Sequence, residues 1–136
     1  MDFEKIIKFR SEKNAFSRRL NIVLEEVRLG YARVTKTIES GDLNPLGYAH
    51  GGIYFTMADN AAGSAMASHG YLAVTMDATY HFFRSASEGD TLTATANEIK
   101  AGQTICVYDV RITDQNDVLL GMGTFTFYQL DQPINL

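Results

Sequence analysis

Little in this sequence speaks for covalent or membrane support. The single cysteine, Cys106, excludes an intrachain disulfide and a cysteine-rich metal site. No apolar run approaches the roughly 18–20 residues needed to cross a bilayer. Positive charge is not in excess either. Twelve Lys and Arg stand against sixteen Asp and Glu, a formal net charge of -4. Nucleic-acid binders normally carry a basic face, so no nucleic-acid partner is expected, although a local basic patch for a phosphorylated ligand remains open. The start of the chain is not a secretory signal. Asp2 and Glu4 alternate there with Lys5, Lys8 and Arg10, and no long apolar run follows. The reading is a reducing, cytoplasmic compartment. There are only two prolines, Pro45 in a turn-like stretch and Pro133 near the C-terminus. No repeat, low-complexity tract or composition break divides the chain.

What is present is an ordinary globular composition. Apolar residues make up 46% and charged residues 21% of 136 positions, enough for one domain with a real core, spanning residues 1–136. Phe3, Ile6, Ile7 and Phe9 fall close to a helical stripe, which predicts a short amphipathic helix within residues 1–14. Residues 20–28 and 31–38 alternate, with a slip near Glu26 and Gly30 between them, the pattern of a β-hairpin. Residues 40–48 (SGDLNPLGY) read as a loop. Residues 50–69 then turn rich in Ala and Met and apolar nearly all round, as in a buried central helix opened by Gly51-Gly52 and closed by His69-Gly70. Four Thr-, Val-, Tyr- and Phe-rich strands follow, at 73–83, 90–100, 104–113 and 118–130, joined by turn residues. One long helix among runs of strands predicts an α+β fold, an antiparallel sheet wrapped on that helix.

The informative stretch is NPLGYAHGGIYFTMAD, residues 44–59. A helix N-terminus presents unpaired N–H groups and the positive end of the dipole. Glycines there admit a ligand to the backbone. Attack on a carbonyl builds negative charge on its oxygen, which such donors stabilise. Gly51 N–H is the candidate donor. Asn44 can offer its side-chain amide, and His50 can bond the same region or brace the loop. Asp59 is an acid on an otherwise apolar helix, expensive to bury without partners or a task.

Asn44, Gly47, His50-Gly51-Gly52 and Asp59, in this register, resemble the hotdog-fold thioesterases, in particular their phenylacetate-pathway branch. The resemblance extends into Val74-Thr75-Met76-Asp77 and Gly89-Asp90 and covers roughly residues 15–130. It implies a hotdog fold, acyl-CoA thioester hydrolysis, and a homodimer, commonly paired into a homotetramer. It also implies a role for Asp59 as general base or nucleophile, two options the residues do not separate. Neither His69 nor His81 joins a metal-ligand pattern of fixed spacing, so no metal is expected, and no cofactor is expected either. Thr75 falls where this family carries a Ser or Thr that holds the attacking water or the base. Relatives that instead place a Thr one turn after the acid have no counterpart here, where that position is Gly63. Arg84-Ser85-Ala86 lacks the proline usual in the turn after that strand, which predicts a looser turn.

Spacing adds a constraint. Asp59 lies seven residues beyond Gly52, about 10 Å along a helix axis. A carbonyl over the N-terminus of the helix is out of its reach, so the acid must come from a second chain, and the site is shared across a dimer interface. Tyr54 and Phe55, just after the glycines, are candidates for the acyl channel along with Gly52. Arg84, Lys100 and Arg33 are candidates for the CoA phosphates, Arg84 foremost. Each has a plainer reading. His50 can be a loop brace, Asn44-Pro45 a common turn pair, Thr75 an ordinary strand residue, and Asp77, taken to share the face of Thr75, a partner for a backbone group. His69 reads as a helix C-terminal residue facing the dipole, His81 as a surface strand residue and Cys106 as core filler. Two other functions stay in contention: a hotdog acyl-thioester hydratase or dehydratase, and a non-catalytic acyl-CoA-binding module.

Overall fold

A computed structural model describes all residues, 1–136. Helix α1 (Phe3–Lys13) is capped by Asp2, whose Oδ1 accepts from the N–H groups of Glu4 and Lys5, and it buries Ile6 completely. A second short helix, α2 (Ala15–Arg19), follows at once, with the Asn14 side chain accepting from Ser17 N–H. The sequence reading had strand beginning at Leu20. The cap at Asn14 instead carries helix to Arg19, and β1 starts at Val23.

The six strands are β1 (Val23–Arg28), β2 (Tyr31–Thr37), β3 (Tyr71–Phe82), β4 (Thr91–Ala101), β5 (Ile105–Thr113) and β6 (Leu119–Pro133). They form one antiparallel sheet in the order β1-β2-β4-β5-β6-β3. The slip near Glu26 is a register shift between Leu24 and Glu26. Because β3 pairs only with β6, its other side is a bare edge twelve residues long. Tyr71, Val74, Met76 and Phe82 on it are exposed.

Helix α3 (Gly51–Ala67) lies in the concave face of the sheet. Ala58, Ala61, Ala62 and Ala65 are completely buried, and their small side chains let the helix approach the sheet closely. Met57 and Met66 fill the space between them and the inward residues Val34, Ala94, Val110 and Phe125. Alternation along the strands puts this apolar set on one face. Cys106 is a buried free thiol in the same layer, as its strand position suggested, and burial pushes its pKa up. No helix is long and apolar enough to cross a membrane.

Two local expectations are corrected. A second register shift, between Thr75 and Asp77, sets Thr75 opposite Phe127 but Asp77 opposite Thr126. These partners are consecutive residues of β6, so the bulge turns Asp77 away from the face of Thr75. His69 does not cap α3. Ser68 takes that position, and the His69 ring pairs with Glu98, which also accepts from the Tyr108 hydroxyl at 2.8 Å.

Candidate active site

The loop before α3 is held from below by a charged residue inside the core. Strand alternation puts Lys36 on the inward set with Ala32, Val34 and Ile38, and it is 3% exposed. Its Nζ reaches Asp42 at 2.9 Å and also bonds Leu20 O and Glu39. Asp42 lies in a 3-10 turn (Ser40–Asp42), returns a bond to Glu39 N–H, and offers its carbonyl to His50 N–H at 2.8 Å. A buried ammonium with its partners satisfied thus fixes the position from which α3 departs.

From this anchor the chain turns through Asn44–Gly47. Gly47 has φ +85°, which a glycine adopts without strain, and its N–H donates to Asn44 O. The Asn44 Oδ1 accepts from Leu46 N–H at 2.9 Å and Tyr48 N–H at 3.1 Å. With the oxygen so occupied, the amide nitrogen is the end left to donate. His50 is the N-cap of α3, its Nδ1 accepting from Gly52 N–H at 2.8 Å. That bond puts the proton of a neutral ring on Nε2. It also consumes the Gly52 donor, whereas Gly51 N–H donates to no protein group. Of the two glycines, Gly51 is therefore the one able to serve an oxygen from outside.

Asn44, Gly51, Tyr54, Phe82 and Arg84 line one cavity of about 270 Å³. The Tyr54 hydroxyl accepts from Ala86 N–H at 2.8 Å, and burial raises its pKa. This bond, with Ala49 N–H to Ala86 O, secures the turn after β3 although it has no proline. Gly89, at φ +93°, and Asp90 tie the same segment back through Ser87, so this pair of the sequence motif works in the scaffold.

Asp59 lies elsewhere. Thr75 Oγ1 donates to its Oδ1 at 2.6 Å, and the two line a second cavity, of about 160 Å³, together with Gly63, Met66 and Phe127. No residue is common to the linings of the two cavities. The acid is partly buried, not enclosed as its helix suggested.

The structure thus brings together Asn44 and Gly51, with Tyr54 and Arg84 beside them, and separately Asp59 with Thr75. It does not bring Gly52, whose N–H is taken, or Phe55, which is exposed and packs on Phe125 at 5.2 Å outside both cavities. Arg33 pairs with Glu26, Lys100 is exposed near the β4–β5 turn, and neither lines either of these two cavities. One residue at the acid's cavity was missed. Arg10 enters it from α1, its Nε donating to Ser64 Oγ at 2.8 Å. Its signal was its place on the α1 stripe: Phe3, Ile6, Ile7 and position 10 share one helical face.

An antiparallel sheet curled around one long helix is the hotdog fold of the thioesterase superfamily. Residues 46–120 match the family model described as Thioesterase superfamily, and the chain belongs to that family. It is 38% identical over 104 residues to the acyl-coenzyme A thioesterase PaaI of Escherichia coli K12, covering 76% of this chain and 74% of that one. The solved Escherichia coli PaaI structure superposes with a TM-score of 0.94 over 98% of this chain and 96% of that chain, at 31% identity. A hypothetical thioesterase protein of Streptococcus pneumoniae TIGR4, solved with coenzyme A, gives a TM-score of 0.80 at 32% identity, over 84% and 92% of the two chains.

Proposed function

We propose that the protein hydrolyses acyl-CoA thioesters at a site shared between two copies of the chain. The carrying observation is the separation of the two half-sites: free donors at Gly51 and Asn44 in one cavity, the Asp59–Thr75 pair in another. The bare β3 edge supplies the means of joining them. A twelve-residue strand unpaired along one edge and bearing exposed Val74, Met76 and Phe82 is a ready template for a second copy. Antiparallel pairing of two β3 edges about a two-fold axis makes each subunit's donors available to its partner's acid, and gives two equal sites per dimer. Pairing of dimers into a homotetramer and a cytoplasmic location complete the proposal.

In the mechanism, the thioester carbonyl oxygen accepts from Gly51 N–H and the Asn44 amide. Both donors are fixed beforehand, so they stabilise the oxyanion without reorganising. Asp59 of the other chain either takes a proton from water, whose oxygen attacks the carbonyl carbon, or attacks that carbon itself to give an anhydride that water then opens. In both routes the C–S bond breaks and CoA leaves as the thiolate, which takes up a proton. Thr75 holds one carboxylate oxygen and leaves the other without a protein partner and available for either task. His50 orients the Gly51-Gly52 turn through Gly52 N–H, and Arg84 stands at the mouth of the donor cavity for the CoA phosphates. The pneumococcal relative supports the pairing of Asp59 with Thr75. Separate Ala variants of an Asp and of a Thr have been crystallised for it, at the same sixteen-residue spacing.

The test is release of free thiol from a panel of acyl-CoAs, with Asp59→Asn as the control. Thiol released by the wild type and lost in the variant is the expected result. Equal background rates would contradict enzymatic function. Binding without turnover would favour a binding module, and loss of an unsaturated thioester without free thiol would favour a hydratase.

A further inference from the structure

The cavity that holds Asp59 and Thr75 also holds a cation, Arg10, which forms no close ion pair with that acid or any other. Arg10 is secured by one bond, Nε to Ser64 Oγ, and Ser64 in turn donates to Asn60 Oδ1 while Asn60 Nδ2 donates to Ser17 Oγ. This chain fixes the guanidinium plane. Its two Nη groups make no hydrogen bond, and no carboxylate lies within ion-pair distance. Arg10 reaches the cavity over Gly63, where a β-carbon would stand 3.0 Å from Nη2. A side chain on α3 at that position would close the passage. Burial pulls the Arg10 pKa down to about 10, only partly offset by the charge of Asp59. A half-buried, fixed cation with two free donor groups and no close counter-ion is costly to keep in a monomer's recess, and is well suited to a ligand that brings a second anion.

We propose that Arg10 selects the acyl group, and that the preferred substrates are thioesters of short dicarboxylic acids, the distal carboxylate pairing with the Arg10 guanidinium. The assignment rests on the thioesterase reading above for the position of the carbonyl near Asp59. Length, volume and charge agree with it. Gly63 and Ser64 lie four and five residues past Asp59, about 6–7.5 Å along α3, which an extended chain of about five or six bonds spans at roughly 1.2 Å per bond. A cavity of about 160 Å³ is close to the roughly 150 Å³ that accepts a benzene-sized guest, about six heavy atoms. A five-carbon acyl chain ending in a carboxylate fits both limits, with four carbon–carbon bonds plus the bond to the carboxylate oxygen and about six heavy atoms beyond the thioester carbonyl. The wall between, formed by Met66, Phe127 and the Gly63 backbone, suits the intervening methylenes.

The experiment compares two non-hydrolysable thioethers by calorimetry, S-(4-carboxybutyl)-CoA and S-pentyl-CoA, on the wild type and on Arg10→Met, which keeps volume and removes charge. Hydrolysis of glutaryl-CoA and pentanoyl-CoA is measured in parallel. A charged hydrogen-bonded pair is worth enough for a preference of about tenfold or more. The expected result is that preference for the carboxylate thioether in the wild type, its reversal in Arg10→Met, and unchanged affinity of the variant for S-pentyl-CoA. Equal affinities in the wild type, a preference for the pentyl compound, an equal loss of both in the variant, or no binding of either would overturn the assignment. Selective binding with no hydrolysis would leave Arg10 as the selector and refute the thioesterase reading alone.

Discussion

Thr75 Oγ1 donates to Asp59 Oδ1 at 2.6 Å across the gap between an edge strand and the central helix. The bulge at Met76 makes this possible, because the register shift turns Thr75 inward toward α3 while Asp77 faces the other way. The pair therefore depends on strand geometry and not only on the two residue types. Asp59→Asn is expected to lower kcat by about 10²–10⁴, the usual reach of a positioned acid or base. Thr75→Ala removes a bond to a charged group, worth about 1.5–3 kcal/mol, and is expected to cost about ten- to a hundredfold. Thr75→Ser keeps the hydroxyl and should retain most of the activity. Steady-state rates of thiol release check the series, and equal losses in the Ala and Ser variants would show that the hydroxyl is not what matters.

Lys36 gives a prediction about stability. Its ammonium is almost completely buried and is satisfied by Asp42, Glu39 and a backbone carbonyl. Removing one partner of such a cluster strands the others, at a cost of about 3–5 kcal/mol. Lys36→Ala should therefore shift the urea midpoint downward by that amount divided by the m-value. It should also loosen the loop that carries Asn44 and His50. Lys36→Ala together with Asp42→Ala is expected to lose less than the two single effects added. Additive losses would show that the two residues act separately.

Asp90 sets the acid side of the stability profile. Its carboxylate accepts from Ser87 N–H and from the Gln115 amide, and these bonds hold its pKa below the usual carboxylate value. A depressed folded-state pKa contributes stability that is present above the unfolded value, 3.8, and is lost as pH falls through the folded one. Asp90→Ala should be less stable than the wild type at pH 7, by no more than about 1 kcal/mol for so exposed a group. The difference should disappear near pH 2. Denaturant midpoints at the two pH values measure it, and a gap that persists in acid would assign the effect to packing and not to charge.

Much of this was open to a reader of the sequence. The central helix announced itself because burial on all sides demands Ala and Met all round, and the strands because one buried face demands alternation. Asn44, Gly51 and Asp59 stood out because polar groups beside glycines at a helix start have few structural excuses. Three features escaped for one physical reason: each depends on residues far apart in the chain. Arg10 meets Asp59 only after α1 packs on α3. His69 pairs with Glu98 twenty-nine positions on, where the helix end alone suggested a cap. The bulge that separates Thr75 from Asp77 appears only against the β6 register. The bond from Gly52 N–H to the His50 ring was likewise out of view, because the ring reaches back only in the N-cap geometry, which a list of residues does not display.

The central claim is that donors and acid of one site belong to different chains, and a mixed dimer tests it most directly. Asn44→Ala and Asp59→Asn are each expected to be nearly inactive alone. Unfolded together in equal amounts and refolded, half the dimers carry one of each chain. In such a dimer one site has both defects and the other has none. The account predicts recovery of about a quarter of wild-type activity. No recovery, with mixed dimers demonstrated by mass spectrometry, would place donors and acid in the same chain and contradict it.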